Sequence, residues 1–416
     1  MRLLVLASVA LFVLPHTLHA TDLAFTHATI YTQPDDPPLH DATILVHDSR
    51  IVAVGLTNST KLPADAKTIN CTGLTITAGF WNSHVHLMPP ELLDADHKSP
   101  DELNSQLQTM FTRWGFTTVF DIASSLPNAN SIRSQIEAGK LLGPRVLTVG
   151  EPFWVKTPIY VQQYAATFKI TLPEVHSIPQ AVARVDQQIR DGADGIKIFA
   201  GSIEPDHVEY MPLDLASAIV AEAHRQNKLV FSHPSTIRGV ELSLDAGVDI
   251  LAHVTTSESG ESGTTWPPEL VARMIATHMS LIPTLTLFDV EMQKNHVPPD
   301  AIQQGLALAV SQLHAYASAG GQILFGTDIG YIDHYDTAEE FQLMSRADLT
   351  FSQILASLTT NPAQRFGYAS HSGRVARGFD ADLVVLKSDP ATDITALSHV
   401  AYTIRSGKII FDSQRP

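Results

Sequence analysis

Between Leu23 and about Thr77 the apolar positions fall in short alternating runs, Ala28-Thr29-Ile30-Tyr31, Ala42-Thr43-Ile44-Leu45-Val46 and Ile51-Val52-Ala53-Val54, broken by Asp, Pro and Gly turns. A period of two marks antiparallel strands. The same texture returns near the other end, in Asp382-Leu383-Val384-Val385-Leu386 and from Tyr402 to Ile410. The two ends are therefore expected to pair into a small β-sandwich domain over residues 21–78 and 368–416. Residues 79–367 would be inserted between them as a second domain.

That middle region alternates short apolar strands with helical stretches, which is the pattern of a parallel α/β architecture. Candidate strands run from Phe80 to His86, Thr117 to Asp121, Arg145 to Val149, Gly195 to Ala200, Leu229 to His233, Asp249 to His253, Ser280 to Thr284 and Gln322 to Asp328. Eight strands fit a (β/α)8 TIM-like barrel. A doubly wound sheet is the competing topology, but it does not explain polar residues at the carboxyl ends of so many strands. A barrel does, because its active site lies on that face.

Length and composition agree with this picture. The 416 residues accommodate a barrel of about 250 residues and a smaller domain. A hydrophobic content of 44% with 17% charged residues indicates a well-packed globular chain. A formal charge of −16 argues against nucleic acid as a partner. Met1-Arg2, the apolar stretch from Leu3 to Pro15 and the small Ala20 before Thr21 form a signal-peptide pattern over residues 1–20. Its apolar run falls short of the ~20 residues a membrane span needs. No Cys stands at the cut, so a lipid anchor is not indicated. The expected location is secreted or periplasmic, with no membrane attachment after cleavage. Cys71, the single cysteine, has no internal disulfide partner. The oligomeric state is left open, a homo-oligomer included.

Chemistry enters with Gly79-Phe80-Trp81-Asn82-Ser83-His84-Val85-His86. Alternation along a strand aims both imidazoles of a His-x-His pair the same way, giving half a site for zinc or a similar divalent ion. Alone the pair carries little weight among 19 histidines. Further along, Lys197 stands between Ile196 and Ile198, so it points into the barrel if those two face the helices. A buried ammonium is costly. It is therefore either paired with an acid, or a neutral amine able to capture carbon dioxide as a carbamate. His233 and His253 close consecutive strands at the carboxyl rim. Asp328 closes the last strand, where it either caps the following helix or serves a metal and its water.

Taken together these residues resemble the amidohydrolase superfamily of metal-dependent hydrolases. The resemblance rests on the Gly-x-x-x-x-His-x-His opening, Gly326-Thr327-Asp328, Asn361-Pro362-Ala363 and the return segment from Gly373 to Leu383. Within that superfamily the chain is most similar to the imidazolonepropionase-like group that includes Xaa-Pro dipeptidases. Asn82 departs from the pattern, since many members carry Asp two residues before the first ligand. The resemblance implies two divalent metal ions, zinc being expected, joined by a carbamate on Lys197. His84, His86, Lys197 and Asp328 would hold one ion, and the carbamate, His233 and His253 the other. A bridging hydroxide would attack a small-molecule amide or peptide substrate, with Asp328 as the catalytic proton acceptor and donor. Tyr210 and Arg238 are candidates to orient a substrate carbonyl or carboxylate. The aromatic residues Phe153, Trp154, Tyr160, Tyr164 and Phe168 are candidates to line an apolar pocket. The competing functions are a mononuclear deaminase or cyclic amide hydrolase of the same superfamily, and a barrel that only binds.

Overall fold

The computed structural model describes residues 22–168, 172–255, 257–258, 261–262 and 265–415. The expected leader, residues 1–20, lies outside them, as do the side chains of Tyr164 and Phe168. The first end of the chain supplies β1 (Leu23–Ile30), β2 (Leu39–His47), β3 (Arg50–Leu56), β4 (Lys67–Asn70) and β5 (Thr75–Ala78). The middle supplies β6 (Phe80–Val85), β7 (Phe116–Asp121), β8 (Arg145–Thr148) and β9 (Gly195–Phe199). A hairpin of β10 (Gly201–Ile203) and β11 (Val208–Tyr210) follows, then β12 (Leu229–His233) and β13 (Ile250–Ala252). After a short hairpin, β14 (Ser257–Glu258) and β15 (Glu261–Ser262), comes β16 (Ser280–Ile282). The return consists of β17 (Leu383–Leu386), β18 (Val400–Arg405) and β19 (Lys408–Asp412).

Both ends of the chain do pair. β17 runs antiparallel to β5, with Leu383 opposite Ala78 and Val385 opposite Ile76. The result is one hydrogen-bonded sheet of eight strands, in the order β19-β18-β17-β5-β1-β2-β3 with β4 on β1, where two layers were expected. Register shifts on either side of Ala28 interrupt the β1–β2 ladder. Such bulges bend a strand and increase its twist. The sheet buries Phe25, Ile30, Ile44, Ile51, Ile76, Leu383 and Val385 in a core of its own.

The middle strands form two parallel sheets, β6-β7-β8 and β16-β13-β12-β9. Both seams between them are hydrogen-bonded. On one side Phe153 N donates to Lys197 O at 2.8 Å and Phe199 N to Phe153 O at 2.8 Å. On the other, Leu281 N donates to Gln322 O at 3.0 Å, and Ser83 N to Phe325 O at 2.7 Å. This is a TIM-barrel-like α/β fold. The eighth expected strand, Gln322 to Asp328, makes these contacts as isolated bridges and not as a regular strand. Its ladder is broken because the amides of both Thr327 and Asp328 turn to the single carbonyl of His84.

Side-chain alternation sorts the strand residues onto two faces. Ile196, Ile198, Val230 and Leu251 pack outward in the core shared with the helices. Phe231, Ile250 and Leu324 point inward with Trp81, Phe120 and Phe366. Phe120, Phe231 and Phe366 meet with ring centroids 4.9 to 6.1 Å apart, so aromatic rings fill the barrel interior. Polar groups gather beyond it, at the carboxyl ends of the strands. Among the described residues no helix is long and apolar enough to cross a membrane.

Candidate active site

β6 delivers His84, and His86 follows directly after its last residue; both are buried, with ring centroids 5.2 Å apart. Across the barrel seam, Asp328 reaches both imidazoles through one oxygen: Oδ1 lies 3.1 Å from His84 Nε2 and 2.6 Å from His86 Nε2. Its other oxygen, Oδ2, stands 3.9 Å from His253 Nε2. Glycine makes this approach possible, since a Cβ on Gly326 would lie 2.3 Å from Ile282 Cγ2 and 2.8 Å from His84 Cβ. His253 and Asp328 both adopt left-handed backbone, with φ of 79° and 62°. Side chains other than glycine rarely sit there, and such strain concentrates at functional sites.

Hydrogen bonds at the back of the rings fix which nitrogens face the centre. Thr284 Oγ1 donates its single proton to Pro283 O at 2.8 Å and lies 2.7 Å from His253 Nδ1. The hydroxyl can only accept from that ring, so His253 carries its proton on Nδ1 and presents a lone pair at Nε2. His86 Nδ1 faces a carbonyl, that of Ala123, at 3.1 Å. Asn82 accepts from His84 N at 3.2 Å and donates to Thr327 Oγ1 at 2.7 Å, tying β6 to the segment that carries Asp328. Asp121 ends β7 fully buried, accepting from Thr148 Oγ1 at 2.7 Å and Leu87 N at 3.3 Å. It braces the turn just beyond His86.

Burial keeps the imidazoles of His84, His233 and His253 neutral. Burial pushes His84 down to about 4 against the opposing pull of Asp328. Burial first, and then Lys197, push His233 well below its ordinary value. Burial and the neighbouring His84 do the same to His253. Asp328 goes the other way: burial alone would raise it, but His84 and His86 hold its carboxyl well below the usual range. Neutral imidazoles around an ionised carboxylate are what a divalent ion requires.

His84, His253 and Asp328 offer ligand atoms that all lie within 4.8 Å of one another, and His84 Nδ1 is buried without a hydrogen-bond partner. This donor set fits zinc or a similar ion. His86 adjoins it through Asp328, and His233 through His253 at 4.8 Å between ring centroids. Lys197 projects from β9 into the interior, in register with Phe231 on β12, and is 2% exposed. Among the described residues no carboxylate lies within 4.0 Å of its Nζ, and burial pushes the amine down to about 7. All six expected ligands thus line the same end of the barrel.

Tyr210 and Arg238 meet one another, with the guanidinium 4.2 Å above the phenol ring. Tyr210 Oη also bonds Thr236 Oγ1 at 2.7 Å, which pins the β10–β11 hairpin beside the loop after His233. Of the expected aromatic lining, Phe153 and Trp154 are buried. Tyr160 packs edge to face on Tyr331, ring centroids 5.6 Å apart, just beyond Asp328.

A family model, the amidohydrolase family, matches residues 75–410. The chain belongs to the amidohydrolase family. The ochratoxinase of Aspergillus niger is 23% identical over 444 residues, spanning 95% of this chain and 88% of that protein. Among solved structures, a Xaa-Pro dipeptidase with bound methionine in its active site superposes with a TM-score of 0.79 at 21% identity, covering 94% of this chain and 100% of the other. A prolidase complexed with N-methylphosphonate-L-proline gives a TM-score of 0.76 at 23% identity, covering 94% and 99%. At those identities the structures speak to the fold alone. Membership makes this amidohydrolase a hydrolase of carbon–nitrogen bonds, and its family generally uses divalent metal.

Proposed function

We propose that this amidohydrolase cleaves a linear amide or peptide bond next to a free carboxylate, using two divalent ions joined by a carbamate on Lys197. The observation that carries the reading is Lys197 itself, an amine buried in the barrel with no carboxylate in ion-pair reach. A neutral Nζ adds through its lone pair to carbon dioxide and releases a proton to solvent, leaving an anion. His84, His86, Asp328 and that carbamate would hold one ion; the carbamate, His233 and His253 would hold the other. Bound there, the ions supply Lewis acidity and lower the pKa of water toward neutrality.

Asp328, kept ionised by its two imidazoles, takes the proton of the attacking water and hands it to the departing amine. Tyr210 and Arg238 supply a hydroxyl and a positive charge for the substrate carboxylate, and Tyr160 with Tyr331 an apolar wall. The A. niger ochratoxinase and the Xaa-Pro dipeptidase fold support a substrate of this kind. His84, His253 and Asp328 alone would serve a one-metal deaminase or cyclic amide hydrolase, and Lys197 is what argues against that reading. The leader pattern supports export, with a mature chain starting near Thr21. Residues 21–78 and 368–416 would form the small domain and residues 79–367 the catalytic one.

The test is a panel of dipeptides and N-acyl amino acids offered to zinc-loaded protein, together with elemental analysis. Two equivalents of metal and turnover within the panel are expected. One equivalent with full activity on aminated purines or pyrimidines, and none on the panel, overturns the proposal.

A further inference from the structure

Glu340 occupies the first turn of the helix Ala338–Arg346, where an acid is ordinarily a solvated partner of the helix dipole. Here its side chain turns inward and the residue is 1% exposed. Oε1 accepts the amide of Leu285 at 2.9 Å and Oε2 that of Thr286 at 2.7 Å. These are the first two amides of another helix, Leu285–Lys294, which begins immediately after the site residue Thr284.

A helix leaves its first amides without partners, and a threonine in the preceding position ordinarily turns its own hydroxyl onto them. Thr284 stands in that position and makes no such bond. Its hydroxyl is committed elsewhere, donating to Pro283 O and accepting from His253 Nδ1. Its backbone is left-handed, φ 48° and ψ 54°, a conformation that a β-branched residue resists. Something else must satisfy the helix and hold the turn. Glu340 does both, from a helix distant in sequence.

We propose that Glu340 is a positioning residue for the metal centre: by capping Leu285 and Thr286 it frees the Thr284 hydroxyl to orient His253. The inference rests on the reading of His253 as a metal ligand. Glu340 touches neither substrate nor ion and acts only through Thr284.

The experiment is a double-mutant cycle of Glu340→Gln and Thr284→Val, read as zinc affinity by chelator competition, with folding checked by circular dichroism. Gln offers one acceptor and sets an NH2 group against the second amide, so the turn should loosen. A loss of about 10- to 100-fold in zinc affinity is expected for each single variant, the range typical of groups that orient a ligand histidine. The double variant should lose no more than Thr284→Val alone, because the two residues act in series. Should Glu340→Gln not fold, Glu340→Asp, which retreats by one methylene and keeps both carboxyl oxygens, replaces it with a smaller drop expected. Unchanged zinc affinity in a folded but less stable Glu340 variant would overturn the inference, leaving a purely structural cap. Additive losses would overturn it too. Failure of the wild-type protein to bind zinc would instead remove the functional reading beneath it.

Discussion

His86 Nε2 lies 2.6 Å from Asp328 Oδ1 while its Nδ1 faces the carbonyl of Ala123 at 3.1 Å. A carbonyl only accepts, so Nδ1 carries a proton, and the close approach of Nε2 to a carboxylate oxygen calls for a positive centre at that nitrogen, a proton or in its place a metal ion. The same carboxyl oxygen serves His84, and the second oxygen approaches His253. Asp328 is therefore the hub on which three imidazoles converge.

Asp328→Asn keeps the shape and removes both the charge and the proposed proton acceptor. Zinc affinity should fall at least tenfold, and kcat by roughly 10²–10⁴, the range for losing a positioned acid–base group. Chelator competition and steady-state kinetics measure the two effects. Activity within tenfold of wild type would show that another group moves the proton.

Lys197→Ala separates the carbamate from an ordinary buried lysine. With no carboxylate in ion-pair reach, its removal strands no buried charge, so the loss of roughly 3–5 kcal/mol seen when a buried ion pair is broken is not expected. The variant should fold and lose most metal and nearly all activity. An added short carboxylic acid should restore part of both. A variant that still holds two metals rules the carbamate out.

How much of this was legible in the sequence depended on whether a residue's role followed from strand position. His84, His86, His233, His253 and Asp328 sit at or beside strand ends and Lys197 inside β9, where alternation alone assigns the face, and the structure gathers all six toward one end of the barrel. Asp121 carried the same signal, an acid closing β7, and its bracing of the turn after His86 could have been read from it. Thr284 and Glu340 could not. Their roles depend on a hydroxyl being diverted from a helix cap and on a carboxylate arriving from another helix, and nothing local distinguishes Glu340 from Glu339. The eighth strand was placed correctly but reduced to bridges, because Gly326 and the left-handed Asp328 serve the site at the expense of the ladder.

That exchange predicts an outcome at Gly326. A methyl group there meets Ile282 Cγ2 and the backbone and Cβ of His84, none of which is the free end of a long side chain. Gly326→Ala should push the Asp328 segment away from β6, costing roughly 1–3 kcal/mol by overpacking and lowering zinc affinity together. Thermal unfolding and chelator competition would check it. Destabilisation with wild-type zinc affinity would show that Asp328 does not depend on this close approach.

The buried Glu340 also predicts how stability changes with pH. Burial raises its carboxyl from the ordinary 4.5 to about 7, although the amides of Thr286 and Leu285 oppose the shift. Between those two values the folded protein keeps a proton that the unfolded chain has released, so unfolding becomes easier as pH rises. The stabilising contribution is complete below about pH 4.5, declines through the interval and is gone above about 7, a change of roughly 3 kcal/mol. Glu339, raised to about 7 by burial and by Asp289 beside it, titrates in the same interval. The comparison is therefore made in a Glu339→Gln background, with metal removed by chelator to keep its binding out of the measurement. Urea unfolding from pH 4.5 to 8 should show the protein with Glu340 losing stability relative to Glu340→Gln as pH rises, then running parallel to it above about 7. A difference that stays constant across the interval would mean that Glu340 keeps the same charge on folding and unfolding, its two amides having offset the cost of burial.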